Sequence, residues 1–401
     1  MSVAGLASLL PLPVAIPLAA GAICPIAVRL WRRLPIVIVL LALGSSTGLL
    51  LLMAPTVYSG HLLAHFMGHV MPRNGHALGI SFAADPWGMS FAIVSAAVGL
   101  IIGVYSLSEL SGLGPRERGW FACLYLLLDA ALIGSALTAD MLNLFVWFEV
   151  AALASYALTG FFLERPIALE ASFKILVLTN IASFAIFVGV ALLYAEHGAL
   201  DMGQLSMALR HHVAISDLFA LALLTGGFLT KAGIVPFHSW LPDAHTAAPG
   251  SVSALFSGLM VNLGIVAVGR IFFEVFLPSI GRPALGLLMV LGLVSAVGGA
   301  CFALFQDDLK RLLAYDTISQ MGVLAVGLAT GVPGGIAGSA YHLWNHALFK
   351  ALLFLCAGAI VHNTGMTKLS EMGGLAKRSP YIAGAFSVGV LAIAGIPPLN
   401  G

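Results

Sequence analysis

The sequence predicts an all-α fold, a polytopic transmembrane helix bundle of about 12 helices. Three observations predict it. Of 401 residues, 60% are hydrophobic and only 9% are charged. Mean hydropathy is +1.02. The apolar residues fall into long runs separated by charged or Gly/Pro punctuation. A soluble domain carries roughly 25% charged residues, so most of this surface must face lipid. Only helices and closed barrels span lipid, and no β pattern competes with the runs. Net charge is +1, which leaves no basic field for nucleic acid. Cys24, Cys123, Cys301 and Cys356 each sit alone in an apolar run without Cys-x-x-Cys spacing, so they read as small packing residues rather than metal ligands.

In chain order, the runs are 5–28, 35–56, 83–107, 119–138, 141–163, 171–194, 216–236, 250–276, 284–305, 310–330, 336–361 and 380–401. No basic segment precedes the first, whose first arginine, Arg29, comes after it, so it reads as a membrane helix and not a signal peptide. Arg29, Arg32 and Arg33 follow helix one, Arg116 and Arg118 helix three, and Arg165 helix five. Lys310 and Arg311 follow helix nine; Lys368, Lys377 and Arg378 follow helix eleven. If each run crosses once, all of these lie on one side, and the other holds Arg73, Arg210, Arg270 and Arg282. Positive charge marks the inner side, which places the N-terminus outside. Two longer connections then fall outside: 57–82, with His61, His65, His69 and His76, and 195–215, with Glu196, His197, Asp201, Arg210, His211 and His212.

Lys231-Ala-Gly-Ile-Val-Pro-Phe237 in helix seven is echoed by Ile393-Ala-Gly-Ile-Pro-Pro-Leu399 in helix twelve. The copies lie five helices apart, an odd shift, and so run in opposite directions. That is the pattern of inverted repeats with broken helices. Pro236 and Pro397 each remove a backbone donor and break the helix. The organisation read from this is an N-terminal three-helix part (1–110), a first repeat (111–277, helices four to eight) and an incomplete second repeat (278–401, helices nine to twelve).

Ionisable side chains inside lipid are expensive and by default functional. Five such positions stand out: Asp129 in helix four, Glu149 in helix five, Lys174 at the start of helix six, Lys231 beside the helix-seven break and Lys350 in helix eleven. Acid and amine are both present, so interhelical pairing is the economical arrangement, and Glu149 is expected to pair with Lys231. A pair that separates and re-forms changes the lysine's proton affinity; the alternative is a static packing bridge. His342, His346 and Lys350 recur every fourth residue and share one helix face. Histidine titrates near neutrality, which suits proton relay, with satisfied polar packing as the alternative. His238, Asp243 and His245 follow the helix-seven break and read as an entry funnel or a solvated turn. His61, His65 and His69 have the same spacing in an outer connection; an interfacial turn is expected there, with a zinc site as the alternative. No phosphate loop, dinucleotide fingerprint, hydrolase elbow or redox-cofactor site is present. Neither a cofactor nor a metal is expected.

The long motifs carry a resemblance. Leu144-Phe-Val-Trp-Phe-Glu-Val-Ala-Ala-Leu-Ala-Ser-Tyr156 resembles the helix-five signature of the antiporter-like, proton-translocating subunits of complex I, group 4 hydrogenases, formate hydrogenlyase and Mrp-type antiporters. Lys231-Ala-Gly-Ile-Val-Pro-Phe-His-Ser-Trp-Leu-Pro-Asp-Ala-His245 is similar to their helix-seven signature. Asp308-Leu-Lys-Arg-Leu-Leu-Ala-Tyr315 and His346-Ala-Leu-Phe-Lys-Ala-Leu-Leu-Phe354 also match. The resemblance implies inverted five-helix repeats, helices seven and twelve broken, and a first half-channel built on Glu149 and Lys231. It implies that His342, His346 and Lys350 lead toward the exit. Two departures stand against the pattern. The usual helix-eight lysine is Asn262, which cannot carry a charge; Asp316, where the family often has serine, is a candidate substitute. The chain also stops at Gly401, before the family's helix-twelve channel residue and helices thirteen and fourteen, which implies a fragment or a shortened gene. The function implied is proton translocation in the inner (plasma) membrane, as a subunit of an NADH:quinone oxidoreductase (NADH dehydrogenase) or hydrogenase-type complex. Its partners would be other membrane subunits, the lipid bilayer and peripheral redox subunits that handle electron transport. The alternatives are an Mrp-type sodium/proton antiporter subunit and a non-pumping membrane scaffold.

Overall fold

A computed structural model describes residues 2–69, 79–110 and 112–399. Arg73, His76 and Gly401 lie outside the described residues. In chain order the membrane helices are α1 Val3–Ala27, α2 Leu34–Tyr58, α3 Pro86–Leu110, α4 Pro115–Leu137, α5 Met141–Thr159 and α6 Pro166–His197. Then come the broken α7, in segments α7a Ile215–Lys231 and α7b Trp240–Ala247, and α8 Gly250–Ile280, α9 Ala284–Leu304, α10 Leu309–Ala329 and α11 Pro333–Thr364. Last is α12 Pro380–Ile393. Among the described residues, ten of these are each long and apolar enough to cross a membrane. The all-α, multi-pass architecture of the sequence reading is thus the observed one.

Local chemistry sets the helix starts. Proline stands in the first turn of α2, α4, α6, α11 and α12, where no backbone donor is needed. Asp140 caps α5 by accepting from Asn143 N–H at 2.7 Å, and Asp308 caps α10 by accepting from Arg311 N–H at 2.9 Å. α8 is the central helix: its apolar window is wholly buried, against 28% for α9. Two π-helical stretches, Phe256–Met260 and Ile271–Phe276, interrupt it, and π-bulges concentrate where a helix carries function.

Three expectations are corrected. The connection before α3 holds two antiparallel strands, β1 Leu63–Phe66 and β2 Ser81–Ala84, with Leu63 opposite Ala84. Apolar Leu63, Phe82 and Ala84 bury against the bundle, which the reading of 57–82 as an outer connection overlooked. His65 therefore lies in a strand, and the fourfold spacing of His61, His65 and His69 does not gather them on a helix face. Helix six runs 166–197 and not 171–194, and helix twelve ends at Ile393 and not 401.

The inverted repeat is visible in the backbone. α5 and α10 both start at a capping aspartate that bridges a distant connection: Asp140 to Asp201, Asp308 to Lys368. Met141 N–H donates to Leu200 C=O and Leu309 N–H to Thr367 C=O, each at 2.9 Å. The helices that follow, α6 and α11, are both 32 residues long. Beyond Asp308 the loop is held by Asp307, whose carboxylate accepts from Ser370 N–H at 2.9 Å and Ser370 Oγ at 2.7 Å. Those bonds hold its carboxyl below the usual carboxylate range. The breaks match too. Gly233 and Gly395 have φ of 70° and 66°, a conformation that costs glycine nothing. Ile234 N–H donates to Leu229 C=O at 3.0 Å, and Ile396 N–H to Leu391 C=O at 3.2 Å. Asp243 in α7b binds Lys174 near the start of α6 and Arg311 at the start of α10. The start of α10 therefore lies on the side where α5 ends, so α5 and α10 point in opposite directions.

The second repeat depends on one close crossing. A Cβ on Gly322 of α10 would run into Ala296 N of α9 and stand 2.6 Å from Gly292 O of the same helix. Backbone cannot yield as a side chain can. Gly322→Val is expected to push α9 and α10 apart and lower stability by about 3 kcal/mol, read as a reduced melting temperature in detergent.

Candidate functional site

The helix-seven break places an amine inside the bundle. α7a ends at Lys231, where Ala232 and Gly233 turn the chain away, and Lys231 is 2% exposed. Glu149, halfway along α5, is 28% exposed and lies 3.8 Å from Lys231 Nζ. At that distance the two are paired by charge without sharing a hydrogen bond, and neither Glu149 Oε1 nor Lys231 Nζ has a protein hydrogen-bond partner. Water is the partner left to groups of this kind. An ion pair satisfied in this loose way is free to lengthen or shorten.

α8 stands between this pair and the next polar groups. Gly264 meets the end of α7a at Phe228 and Ala232, and Gly258 meets Ala347 and Ala351 of α11. Asn262 sits between those two contacts, wholly buried, donating to Gly258 C=O at 2.6 Å and leaving its Oδ1 without a protein partner. Ser257 and Thr317 join α8 to α10 at 2.8 Å. Beyond them, Lys350 of α11 is wholly buried, bonded to Asp316 of α10 and to Leu313 C=O at 2.9 Å. His346 follows one turn away, buried, with both ring nitrogens unpartnered. His342 lies 6.4 Å further, ring to ring, and bonds Gln320 at 2.8 Å. The predicted face of His342, His346 and Lys350 thus exists as a row. His245 of α7b is buried, stacked on Phe354 at 4.7 Å, and also has both ring nitrogens unpartnered.

Other expected members lie elsewhere. Lys174 is 44% exposed and bound to Glu170 at 2.7 Å and Asp243 at 2.9 Å, so it is no buried charge. Its place at the first turns of α6 lets it reach the helix end, which the apolar run disguised. Asp129 is wholly buried but faces Gly99 of α3, and it does not join the Glu149–Lys231 pair. His238 is half-buried beside the break with its Nδ1 unpartnered. The expected funnel of His238, Asp243 and His245 does not assemble as one group. A charged cavity of about 550 Å³ instead opens beside the end of α7b, lined by Glu109, Arg165, Thr246, Asp308, Lys310 and His362. Lys310 there donates to Ala248 C=O at 2.8 Å.

Sequence reasoning missed the buried cluster around Arg270. Arg270, read as an outer-side charge, is 3% exposed within α8 and bonds Asp85 at 2.6 Å, Glu274 at 3.3 Å and Ala136 C=O at 3.1 Å. The signal was present: Arg270 and Glu274 stand four residues apart in an apolar run.

Comparison with known proteins identifies the fold and the family. The NADH:quinone oxidoreductase/Mrp antiporter transmembrane family matches residues 138–401. An NADH-quinone oxidoreductase subunit of Desulforudis audaxviator is 35% identical over 330 residues, 80% of this chain and 64% of that one. A Na(+)/H(+) antiporter subunit of Alkalihalophilus pseudofirmus is 35% identical over 325 residues, 80% of this chain and 65% of that one. Among solved structures, a chain of the membrane-bound sulfane sulfur reductase, an archaeal respiratory membrane complex, superposes with a TM-score of 0.90 at 30% identity, covering 98% of this chain and 78% of that one. This chain therefore spans just under two thirds of the length of those two curated relatives. A matching family pattern over most of the chain, the broken α7 and the shared fold together make it a member of the NADH:quinone oxidoreductase/Mrp antiporter transmembrane family.

Proposed function

We propose that the chain is a proton-translocating membrane subunit of a respiratory NADH:quinone oxidoreductase or hydrogenase-type complex. Partner subunits would carry out the redox chemistry, and other membrane subunits would pack beside it. The observation that carries this reading is the Glu149–Lys231 pair, 3.8 Å apart at the end of α7a, facing a buried polar row across α8. A change in the partner complex that moves Glu149 relative to Lys231 changes the lysine's proton affinity. The lysine then takes up a proton in one arrangement and yields it in the other, toward Asn262 and the row of Lys350, His346 and His342. His245, His238 and the cavity near Lys310 are the entry side of this reading. Lys174 would act at a distance, through its charge, and Asp129, a buried carboxyl without a protein hydrogen-bond partner, would hold a proton apart from the pair. The lysine and arginine distribution supports an inner (plasma) membrane placement with the N-terminus outside, and the divisions at 110 and 277 remain part of the proposal.

Sodium/proton exchange in an Mrp-type assembly is favoured by one observation, the likeness to the Na(+)/H(+) antiporter relative. A non-pumping scaffold is favoured by another, the neutral Asn262 between the halves. Proteoliposomes holding the assembled complex separate the three readings. Glu149→Gln is expected to lower proton transport by about tenfold or more, with no dependence on sodium in the parent. A sodium requirement would move the chain to the antiporter reading. Unchanged proton transport in Glu149→Gln would leave the scaffold.

A further inference from the structure

The bundle holds a second acid–amine pair with a buried amine, and its acid is placed like the first. Glu149 comes nine residues after the capping Asp140 of α5, and Asp316 eight residues after the capping Asp308 of α10. α5 and α10 are counterparts in the inverted repeat, so each repeat puts one carboxylate at nearly the same depth on the same helix. Each carboxylate meets a lysine from a neighbouring helix: Lys231 in the first repeat, Lys350 in the second.

The surroundings of the second pair suit transfer more than packing. Lys350 spends two donors on Asp316 and Leu313 C=O. One turn away, His346 is wholly buried with no protein partner for either ring nitrogen. A buried imidazole left in that condition is costly as mere filler. His342 beyond it is oriented by Gln320, one turn along α10 from Asp316. His245 of α7b feels the charges of Lys350 and Lys310, and Asp316 is the carboxylate whose charge acts on Lys350 and His342. Asn262 cannot store charge between the halves. A proton waiting in the second half therefore needs a counter-charge there.

Resting on the proton-transport reading above, we propose that Asp316 is a positioning residue that holds a proton on Lys350 and, on separating from it, releases that proton to His346. The pair is then a second transfer gate, in series with Glu149–Lys231. In the step, one N–H bond of the Lys350 ammonium breaks and one forms on a His346 ring nitrogen. The lysine becomes neutral, the imidazole cationic, and Asp316 stays ionised throughout. The reverse step restores the starting charges.

The test uses proteoliposomes of the intact complex with Glu149→Gln alongside. Asp316→Asn is expected to slow proton transport about tenfold, and Asp316→Glu to restore most of the rate, because the carboxylate and not the side-chain length matters. Should Asp316→Asn fail to assemble, the double variant Asp316→Asn/Lys350→Met removes the unpaired buried charge. It is expected to assemble and to be inactive. Parent rates in Asp316→Asn or in the double variant overturn the proposal, as does equal loss in Asp316→Asn and Asp316→Glu at normal assembly. Loss in Glu149→Gln with parent rates in Asp316→Asn sinks the second gate alone. Parent rates in Glu149→Gln sink the transport reading itself.

Discussion

Lys231→Met is expected to abolish proton transport, lowering it by about a hundredfold or more, while the chain still inserts and assembles. The asymmetry of the pair is the reason. Lys231 is 2% exposed and Glu149 28%. Deleting the amine leaves a carboxylate that reaches the surface or takes up a proton, so no stranded charge remains in the core. Deleting the carboxylate strands a buried ammonium, and breaking a buried pair from one side costs roughly 3–5 kcal/mol. Lys231→Met is therefore the cleaner probe of mechanism. Lys231→Arg sharpens it. Arginine keeps the positive charge and the attraction to Glu149 but does not deprotonate in proteins. If the amine matters only as a packing charge, Lys231→Arg should transport normally. If it matters as a proton carrier, Lys231→Arg should be as inactive as Lys231→Met and more stable. Proton uptake per assembled complex, with melting temperature measured on the same preparations, distinguishes these results. The attraction at stake is large enough: unit charges about 4 Å apart at an effective dielectric near 20 interact by about 4 kcal/mol. That is roughly a thousandfold in proton affinity.

Much of this was legible in the residues. The shortage of charge dictates a membrane bundle. The Glu149–Lys231 pair was legible because an acid and an amine on separate spans have few other ways to be accommodated. The helix-seven break was legible because Gly233 and Pro236 disturb a helix through local geometry alone. What failed was decided by tertiary reach. Lys174 lies in an apolar run, yet its long stem carries the ammonium to Glu170 and Asp243 at the helix end. Residues 63–66 and 81–84 pair across a connection, and four-residue strands leave too short a pattern to read. Asp316 was visible as a departure, but its partner was not, because the facing of α10 and α11 is fixed by packing. Arg270 shows the opposite error. Its position near the end of an apolar run read as a surface charge, whereas α8 continues to Ile280 and carries it inside.

Arg270→Met is accordingly expected to lower stability by about 3 kcal/mol. The guanidinium joins three elements. It bonds Asp85 at 2.6 Å, and Asp85 in turn accepts from the N–H groups of Trp87 and Gly88, both at 3.2 Å, at the start of α3. It bonds the carbonyl of Ala136 at 3.1 Å, in the last turn of α4, where helix carbonyls lack intrahelical donors. Its other arm reaches Glu274 on its own helix. Without it, two carboxylates face each other and a helix end loses its donor. The figure stays at the low end of the range for a broken buried pair because Asp85 and Glu274 are 26% and 38% exposed, so solvent relieves part of the repulsion. Arg270→Lys should recover only part of the stability, since an ammonium cannot hold Asp85, Glu274 and the carbonyl with the reach of a planar fork. The variant Asp85→Asn/Arg270→Met/Glu274→Gln should recover more, because no unpaired charge remains. Melting temperatures of the four purified chains in one detergent decide the matter. If Arg270→Met melts with the parent, the cluster is not what ties α8 to α3 and α4. If the triple variant is no better than Arg270→Met, the lost hydrogen bond to α4 and not the stranded charge accounts for the effect.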